Sequence, residues 1–294
     1  MTAIPCAQQL NMKTKRLLII IPLLLLIAAV TTARAQVIES ATGANAASIT
    51  AARDAFRLVL GGGDVAGANG SFGGLRREIN WDGVPDAFSA PNNMPADFFN
   101  VNSPRGAVFS TPGTGFQVSA NAGIAPIQFD NIDPTYSQTF EPFSPQRLFT
   151  SLGSNVMDVD FFVPGTTKPA TTNGFGAIFS DVDLANTTSI ELFDTHSNSL
   201  GTFFVPATTG SETFSFLGIS FVDSVIAHVR ITSGNFAVGA GVTDQNGDLR
   251  DVVTMDDFLY SEPRSIPDGG STVLLLGFAL FGVIALRRKL QVTN

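Results

Sequence analysis

The chain has 294 residues, 44% of them hydrophobic and only 14% charged, and its formal net charge is −8. Charged residues make up roughly 25% of a typical globular domain, so this composition, with 28 Gly and 25 Phe, favours short strands joined by turns over a helical bundle. Residues 36–263 carry 24 acidic and 9 basic side chains, a net charge of about −15, which excludes nucleic acid and anionic lipid as expected partners.

The first 35 residues have the three parts of a secretory signal peptide. Three basic side chains open it: Lys13, Lys15 and Arg16. An apolar run of 14 residues follows at 17–30, and Ala33 and Ala35 form an A-x-A cleavage site. We therefore expect signal peptidase to cleave before Gln36 and the chain to be exported.

An uncleaved membrane anchor is the alternative interpretation of this segment. A helix of 14 residues spans about 21 Å, short of the roughly 30 Å hydrocarbon core, so cleavage is favoured. Met12 stands directly before the basic residues and is a better start than Met1 for such a signal. Cys6 is the one cysteine, so the mature protein is expected to contain no disulfide.

Residues 36–74 are predicted to form a flexible start, one short helix and a Gly-rich linker. In the stretch "SITAARDAFRLVLGGG", Ser48 is a candidate N-cap and Gly61 ends the pattern. Apolar residues recur between them at helical spacing: Ile49, Ala52, Phe56 and Leu60. The period then changes from that of a helix to that of strands.

Residues 75–262 are predicted to be a mainly β ectodomain. Apolar and polar residues alternate in "VMDVDFFV" (156–163) and in "SVIAHVRIT" (224–232), where His228 and Arg230 share one face. Similar strands recur every 8–14 residues with turn signals between them. This pattern favours an antiparallel β-sandwich, jelly-roll-like in its connections, and a domain break near Gln146 is an open alternative.

No catalytic residue is expected. His196 and His228 belong to no zinc-binding pattern, and the sequence contains no G-x-S-x-G nucleophile motif. A glycoside hydrolase needs two carboxylates about 5–10 Å apart. Asp256 and Asp257 are neighbours on a predicted strand, whose alternation sends them to opposite faces, so they are not expected to form such a pair.

A calcium site is one interpretation of the acidic turn that begins at residue 244. Its oxygen-bearing side chains are Asp244, Asn246, Asp248 and Asp251. Alternate oxygens on a tight loop can converge on Ca²⁺, although Leu249 and Met255 replace the Gly and Glu of an EF-hand loop. An ordinary acidic turn is the alternative, and no other cofactor is expected.

Trp81 is the candidate for sugar binding. A sugar stacks its apolar face on a flat aromatic ring, and the chain contains 1 Trp and 2 Tyr. In "REINWDG" alternation leaves either face of a strand open to Trp81, so it is either a core residue or an exposed platform. The abundant Phe side chains are expected in the core.

Residues 263–294 combine a turn, an apolar segment and a basic end. The turn comprises Ile266, Pro267, Asp268, Gly269 and Gly270. Its Pro and Gly break any helix and leave an accessible peptide segment. Residues 272–286 can form about 22 Å of helix and are predicted to enter the membrane as a short transmembrane helix. Three basic residues are expected to stay on the cytoplasmic side: Arg287, Arg288 and Lys289.

This arrangement resembles the PEP-CTERM class of sorting signals, in its VPDSG-type variant, with Ile266 in place of Val and Gly269 in place of Ser. The resemblance implies processing by an exosortase-type membrane enzyme of Gram-negative bacteria. It also implies transient anchoring in the inner membrane and delivery to the cell surface or the extracellular polysaccharide matrix. Gly269 and Gly270 also resemble a GlyGly signal of rhomboid-related proteases, and a plain tail anchor is the remaining alternative.

Stretches of the body resemble an ectodomain that recurs in such sorted proteins and that implies no activity: "RREINWDGVPD" (76–86), "VNSPRGAVFSTPGTGF" (101–116), "GFGAIFSDVD" (174–183) and "MDDFLY" (255–260). The leading hypothesis is therefore an exported, surface-sorted protein that is not an enzyme. A carbohydrate- or calcium-binding lectin-like module is the alternative, and a glycoside hydrolase is less favoured.

Overall fold

The computed structural model describes residues 36–62, 76–243 and 249–266 as a mainly β protein with antiparallel sheets and few helices. The predicted fold class is confirmed at this level. The predicted signal peptide (1–35), most of the Gly-rich linker and the predicted transmembrane run (272–286) lie outside the described residues. Within residues 36–62, 76–243 and 249–266, no helix is both long and apolar enough to cross a membrane.

The strands form two large sheets and one small one. In chain order they are β1 (Gln36–Gly43), β2 (Arg76–Ile79), β3 (Ala107–Ser110), β4 (Gly115–Val118), β5 (Phe149–Leu152), β6 (Val156–Phe161), β7 (Ala170–Thr171), β8 (Gly174–Ser180), β9 (Ser189–Phe193), β10 (Ser199–Phe204), β11 (Phe214–Phe221), β12 (His228–Thr232), β13 (Thr254–Ser261) and β14 (Arg264–Ser265). The first sheet has the order β1-β11-β8-β13-β5-β4, and β2 also pairs with β13. The second has the order β10-β9-β12-β6-β3, while β14 pairs with β7.

The two large sheets share one hydrophobic core. Phe109 of the second sheet packs against Phe149 of the first, with ring centroids 5.4 Å apart. Phe161 and Tyr260 make a second contact between the sheets, also at 5.4 Å. Aromatic pairs at these separations add to the stability gained from burial. Two antiparallel sheets of the described residues therefore share one core, whereas the sandwich with jelly-roll connectivity stays a prediction.

Helix α1 (Ala46–Val59) covers the outer face of the first sheet, and a second helical turn, α2, spans Phe98–Val101. The predicted N-cap at Ser48 is wrong, because Asn45 holds that place and its Oδ1 accepts from the Ser48 backbone N at 3.2 Å. Phe56 is buried against the sheet, and a Cβ on Gly218 would lie 2.6 Å from its ring. Only glycine allows this close approach of helix and strand.

Residues 36–43 are not the flexible start that their small side chains predict. They form β1, which pairs with β11 along all eight residues from Gln36 to Gly43. The backbone hydrogen bonds of this edge strand hold the segment, although the side chains of Val37 and Ile38 are exposed. A domain break near Gln146 is also absent from the described residues, since β3 pairs with β6 and β4 with β5 across that position.

Candidate functional site

A concave surface on the outer face of the second sheet, called here the His228 cleft, is formed by β6, β12 and β9. The antiparallel register aligns Asp160, His228 and Phe193 across these strands. The next row along the strands contains Asp158, Arg230 and Glu191. Because alternate residues such as Val229 and Ile231 fill the core, the charged residues of β12 must face outward.

The polar side chains of the His228 cleft hold one another in fixed positions. His228 Nδ1 lies 2.8 Å from Asp160 Oδ1, and its Nε2 lies 3.2 Å from Asp158 Oδ1. Arg230 binds Asp158 through two parallel contacts, from Nε at 2.8 Å and from Nη2 at 3.1 Å. The hydrogen bond to Asp160 raises the pKa of His228, and the charge of Asp158 acts in the same direction.

The cleft contains an open-sided cavity of about 460 Å³ next to these polar side chains. Its lining residues are Asp160, Phe161, Phe162, Pro169, Ala170, Phe193, Asp194, Thr195, Ser197, Ala227, His228, Arg230 and Ile266. The lining combines apolar side chains with a few charged ones, which is the usual composition of a small-molecule site. Ile266 directly follows β14; it is the last described residue and the first residue of the predicted sorting motif.

The Phe193 ring forms one wall of the cleft. The His228 ring meets it in a T-shaped contact at a centroid distance of 5.2 Å, and the Arg230 guanidinium lies 6.0 Å from its centroid. Behind it, Asp194 closes a tight turn by accepting backbone hydrogen bonds from His196 at 2.8 Å and Asn198 at 3.0 Å. This turn fixes the rim of the cleft beside the aromatic wall.

A second group of titratable residues lies beneath the loop at residues 143–144, on the face of the first sheet that α1 covers. Asp256 Oδ2 accepts from the backbone N–H groups of Phe143 at 2.6 Å and Ser144 at 3.1 Å. Ser144 Oγ lies 3.1 Å from Asp256 Oδ1 and 2.7 Å from Asp257 Oδ1. Both carboxyl groups are buried, and burial raises the pKa of Asp256 well above its ordinary value and that of Asp257 as well.

The prediction that Asp256 and Asp257 point to opposite faces is wrong. Two residues of β13, Asp256 and Asp257, stand opposite the single residue Ile178 of β8, because the register shifts between Met255 and Phe258. This is a β-bulge, and it interrupts the alternation of side chains. The two carboxyl groups therefore converge, but they converge in the interior rather than in an open cleft.

Trp81 is a core residue, so its predicted alternative role as a sugar platform is wrong. Its side chain is 1% exposed and stacks on Phe149 at a centroid distance of 3.9 Å. Its Nε1 donates to the backbone carbonyl of Asp256 at 2.9 Å. The alternation argument fails because β2 ends at Ile79, which places Trp81 in the following turn with a φ of 66°.

Asp251 does not reach outward as a calcium ligand on a loop would. Its carboxylate is buried, where Oδ1 accepts from the Asp183 backbone N at 3.0 Å and Oδ2 accepts from Thr187 Oγ1. The other predicted ligands, Asp244, Asn246 and Asp248, lie outside the described residues. Within the part of the chain that the structure describes, no three His, Cys, Asp or Glu side chains are grouped to hold a metal ion.

The sequence alone did not predict that the residues of the His228 cleft lie close together. It placed His228 and Arg230 on one face of the strand at 224–232, and the same alternation in the strand at 156–163 places Asp158 and Asp160 on one face. The signal that joins them is the complementary spacing of two acids and two bases, each pair two residues apart. Strand pairing itself depends on the whole topology, so this signal identifies partners only once β6 and β12 are known to be neighbours.

Comparison with known proteins identifies the C-terminal signal. Residues 265–290 match the VPDSG-CTERM motif, so the suspected PEP-CTERM-like sorting signal is confirmed. This match contains all five residues of the predicted turn, the apolar run and the basic end. A search of curated proteins found no significant match to the chain.

Two solved structures show weak similarity to the fold. One is a glycoside hydrolase family 43 arabinoxylan arabinofuranohydrolase from Bacillus subtilis in complex with cellotetraose, with a TM-score of 0.25, 15% identity, and coverage of 55% of this chain and 28% of that one. The other is the enzymatically active domain of tailspike protein 4 from bacteriophage CBA120, with a TM-score of 0.18, 12% identity, and coverage of 47% and 20%. At these scores neither similarity supports a conclusion about function.

Proposed function

We propose that the chain is an exported, surface-sorted protein of the cell envelope or extracellular polysaccharide matrix that acts without catalysing a reaction. The VPDSG-CTERM match at residues 265–290 is the observation that carries this proposal. It lies at the C-terminal end of a sandwich whose first described strand begins at Gln36, the residue at which the mature chain is predicted to start. In this proposal a signal peptide at residues 1–35 precedes the folded body in the sequence, and the sorting signal follows it.

The proposed sequence of events uses both segments. Signal peptidase removes residues 1–35 after Ala33 and Ala35 enter its small pockets. Residues 272–286 then hold the chain in the inner membrane as a transmembrane helix, with the basic end at Arg287–Lys289 retained in the cytoplasm. An exosortase-type enzyme cleaves at the turn formed by residues 266–270, and the body moves to the cell surface or matrix.

The non-enzymatic role is supported by where the acidic residues lie. Asp256 and Asp257, which converge, are buried rather than open to a substrate. The acids of the His228 cleft are engaged by His228 and Arg230. Calcium binding by Asp244, Asn246 and Asp248 is a separate proposal for the same exported protein.

Mass spectrometry of both termini tests the proposal on protein recovered from cells and from medium. We expect the N-terminus at Gln36 and a C-terminus that lacks residues 272–294. The variant Ala35→Leu should retain residues 1–35, because a large side chain does not fit the pocket of the peptidase. Mature protein that still carries both segments would contradict the proposal.

A further inference from the structure

We propose that the His228 cleft binds a neutral oligosaccharide. The binding site is formed by Asp160, His228, Arg230 and the ring of Phe193, on the outer face of β6, β12 and β9. This inference goes beyond export and sorting. Trp81, the sugar-binding candidate from the sequence, is buried, whereas the His228 cleft is a surface that a ligand can reach.

The dimensions of the cleft fit a short oligosaccharide. The cavity of about 460 Å³ falls within the range of roughly 300–1,000 Å³ that small-molecule sites occupy. It lies between the turn that follows Phe193 and the segment from Phe162 to Ala170. A chain of sugar rings can enter this space along its open side and contact residues on both sides of it. A single exposed strand would contact a ligand from one side.

The polar side chains of the cleft, Asp160 and Arg230, provide hydrogen-bond acceptors and donors that are already oriented. Asp160 is 46% exposed and uses Oδ1 for His228, which leaves Oδ2 for a ligand hydroxyl. Arg230 is also 46% exposed, and its fork to Asp158 uses Nε and Nη2 but not Nη1. Because Asp158 and Asp160 fix these groups before a ligand arrives, little side-chain freedom is lost on binding.

Phe193 provides the apolar complement. A sugar ring has a face of C–H groups that packs on an aromatic ring and an edge of hydroxyl groups that needs hydrogen bonds. The Phe193 ring lines the cavity directly beside the His228 and Arg230 side chains. The C–H face of a sugar can therefore pack on Phe193, and its hydroxyl groups can bond to polar side chains in the same row across the strands and in the next row.

The charge of the cleft selects against anionic polymers. Asp158, Asp160 and Asp194 lie in or beside it, and Glu191 follows in the same row as Arg230. The two cationic groups, Arg230 and protonated His228, are already paired with Asp158 and Asp160. A carboxylate or sulfate on the ligand would meet this excess of negative charge, so a neutral sugar is favoured.

The test uses the full chain, purified in a zwitterionic detergent that has no sugar headgroup, because alkyl maltosides are themselves candidate ligands. Isothermal calorimetry is performed with a panel of neutral gluco-, manno- and galacto-tetrasaccharides of α and β linkage, and with tetragalacturonate as the anionic comparison. We expect at least one neutral tetrasaccharide to bind at millimolar concentration or below, and tetragalacturonate to bind at least about tenfold more weakly.

Two cleft variants and one matched control locate the binding. Phe193→Ala and Asp160→Ala should each weaken binding about tenfold or more. Phe204→Ala removes an exposed aromatic ring from the neighbouring strand β10, outside the cleft lining, and should leave binding unchanged. Equal melting temperatures of the three variants would show that the fold is retained.

Three outcomes would overturn the inference: no binding across the neutral panel, preferential binding of tetragalacturonate, or binding that both cleft variants leave intact. The sorting proposal is tested separately, because processing depends on residues 263–294 and the calorimetry does not measure it. A chain that is processed but binds no sugar would refute only the proposal that the cleft binds an oligosaccharide. An unprocessed chain that binds sugar would refute only the sorting proposal.

Discussion

Asp256 and Asp257, adjacent in sequence, direct their carboxyl groups to the same hydroxyl, Ser144 Oγ, at 3.1 Å and 2.7 Å. A serine hydroxyl has one proton to donate, so it cannot satisfy two ionised carboxylates at once. Two buried carboxylates this close also repel each other, which favours a state in which one of them holds a proton. The β-bulge in β13 thus builds a shared-proton site into the first sheet.

This pair should make the protein less stable as pH rises. Burial raises the pKa of both carboxyl groups in the folded protein. A group whose pKa is higher in the folded state contributes stability below its unfolded pKa, near pH 4, and that stability is lost as pH rises toward the folded value. Asp257→Asn supplies an amide N–H in place of the shared proton and should flatten this decline. Urea unfolding at pH 5 and pH 8 measures the change.

Asp223→Asn is the matched control for this experiment, since it removes an exposed carboxylate outside the pair. The control should keep the wild-type difference in unfolding free energy between pH 5 and pH 8. If Asp257→Asn and the control show the same difference, the proton is not shared at this site.

His228 provides a second pH-dependent contribution, with the same sign. Hydrogen bonding to Asp160, opposed by partial burial, raises its pKa in the folded state, and the charge of Asp158 adds to the rise while that of Arg230 opposes it. The stabilising charge is present below the unfolded pKa of about 6.5 and is lost as pH rises through the folded pKa.

We therefore expect Asp160→Asn to lower the pKa of His228, as measured by NMR titration of the imidazole protons. The chain has 2 His, so His196→Gln assigns the two signals directly. An unchanged titration curve for His228 in Asp160→Asn would show that the contact of 2.8 Å is not maintained in solution.

The strand pattern of this sequence predicted the mainly β fold with antiparallel sheets, because alternation in segments such as 156–163 and 224–232 records which face is buried. The same rule failed at Asp256, where a bulge adds one residue, and at Trp81, which lies in a turn. Both failures are local departures from regular strand geometry, and the alternation of apolar and polar residues in the sequence does not reveal them. The His228 cleft was not predicted for a different reason, since its residues come from strands far apart in the chain.

Trp81 should behave as a buried core residue. It is the one Trp of the chain, so its fluorescence reports this site alone. We expect emission that iodide does not quench in the folded protein, and a loss of about 3–5 kcal/mol in unfolding free energy for Trp81→Ala. Trp81→Phe should retain most of the packing but lose the hydrogen bond to the Asp256 carbonyl. Strong quenching in the folded protein would contradict burial.

The calcium proposal predicts that a chelator lowers the melting temperature. A ligand bound only to the folded state stabilises it, and the stabilisation grows with the logarithm of one plus the ratio of free ligand concentration to Kd. The effect should disappear in Asp244→Ala, whereas Asp223→Ala should respond as the wild type does. Differential scanning calorimetry with and without EDTA measures this, and identical melting curves in wild-type protein would leave an ordinary acidic turn at residues 244–248.

The sorting signal leads to the last prediction. Pro267 and Asp268 lie within the VPDSG-CTERM match, and Ile266 separates them from Ser265, where the pairing of β14 with β7 ends. Because Pro and the following Gly residues keep a chain out of helical conformation, we expect them to hold the cleaved segment extended and accessible. Replacing Pro267 and Asp268 by Ala should therefore leave an unprocessed form in the inner membrane, without affecting insertion, which depends on residues 272–286 and on the basic end. Membrane fractionation followed by C-terminal mass spectrometry distinguishes the two forms, with Asp223→Ala as a control that should be processed normally. A plain tail anchor predicts full-length protein in the wild type and no change in the variant, so wild-type protein that keeps Leu290 in the membrane would refute the sorting proposal.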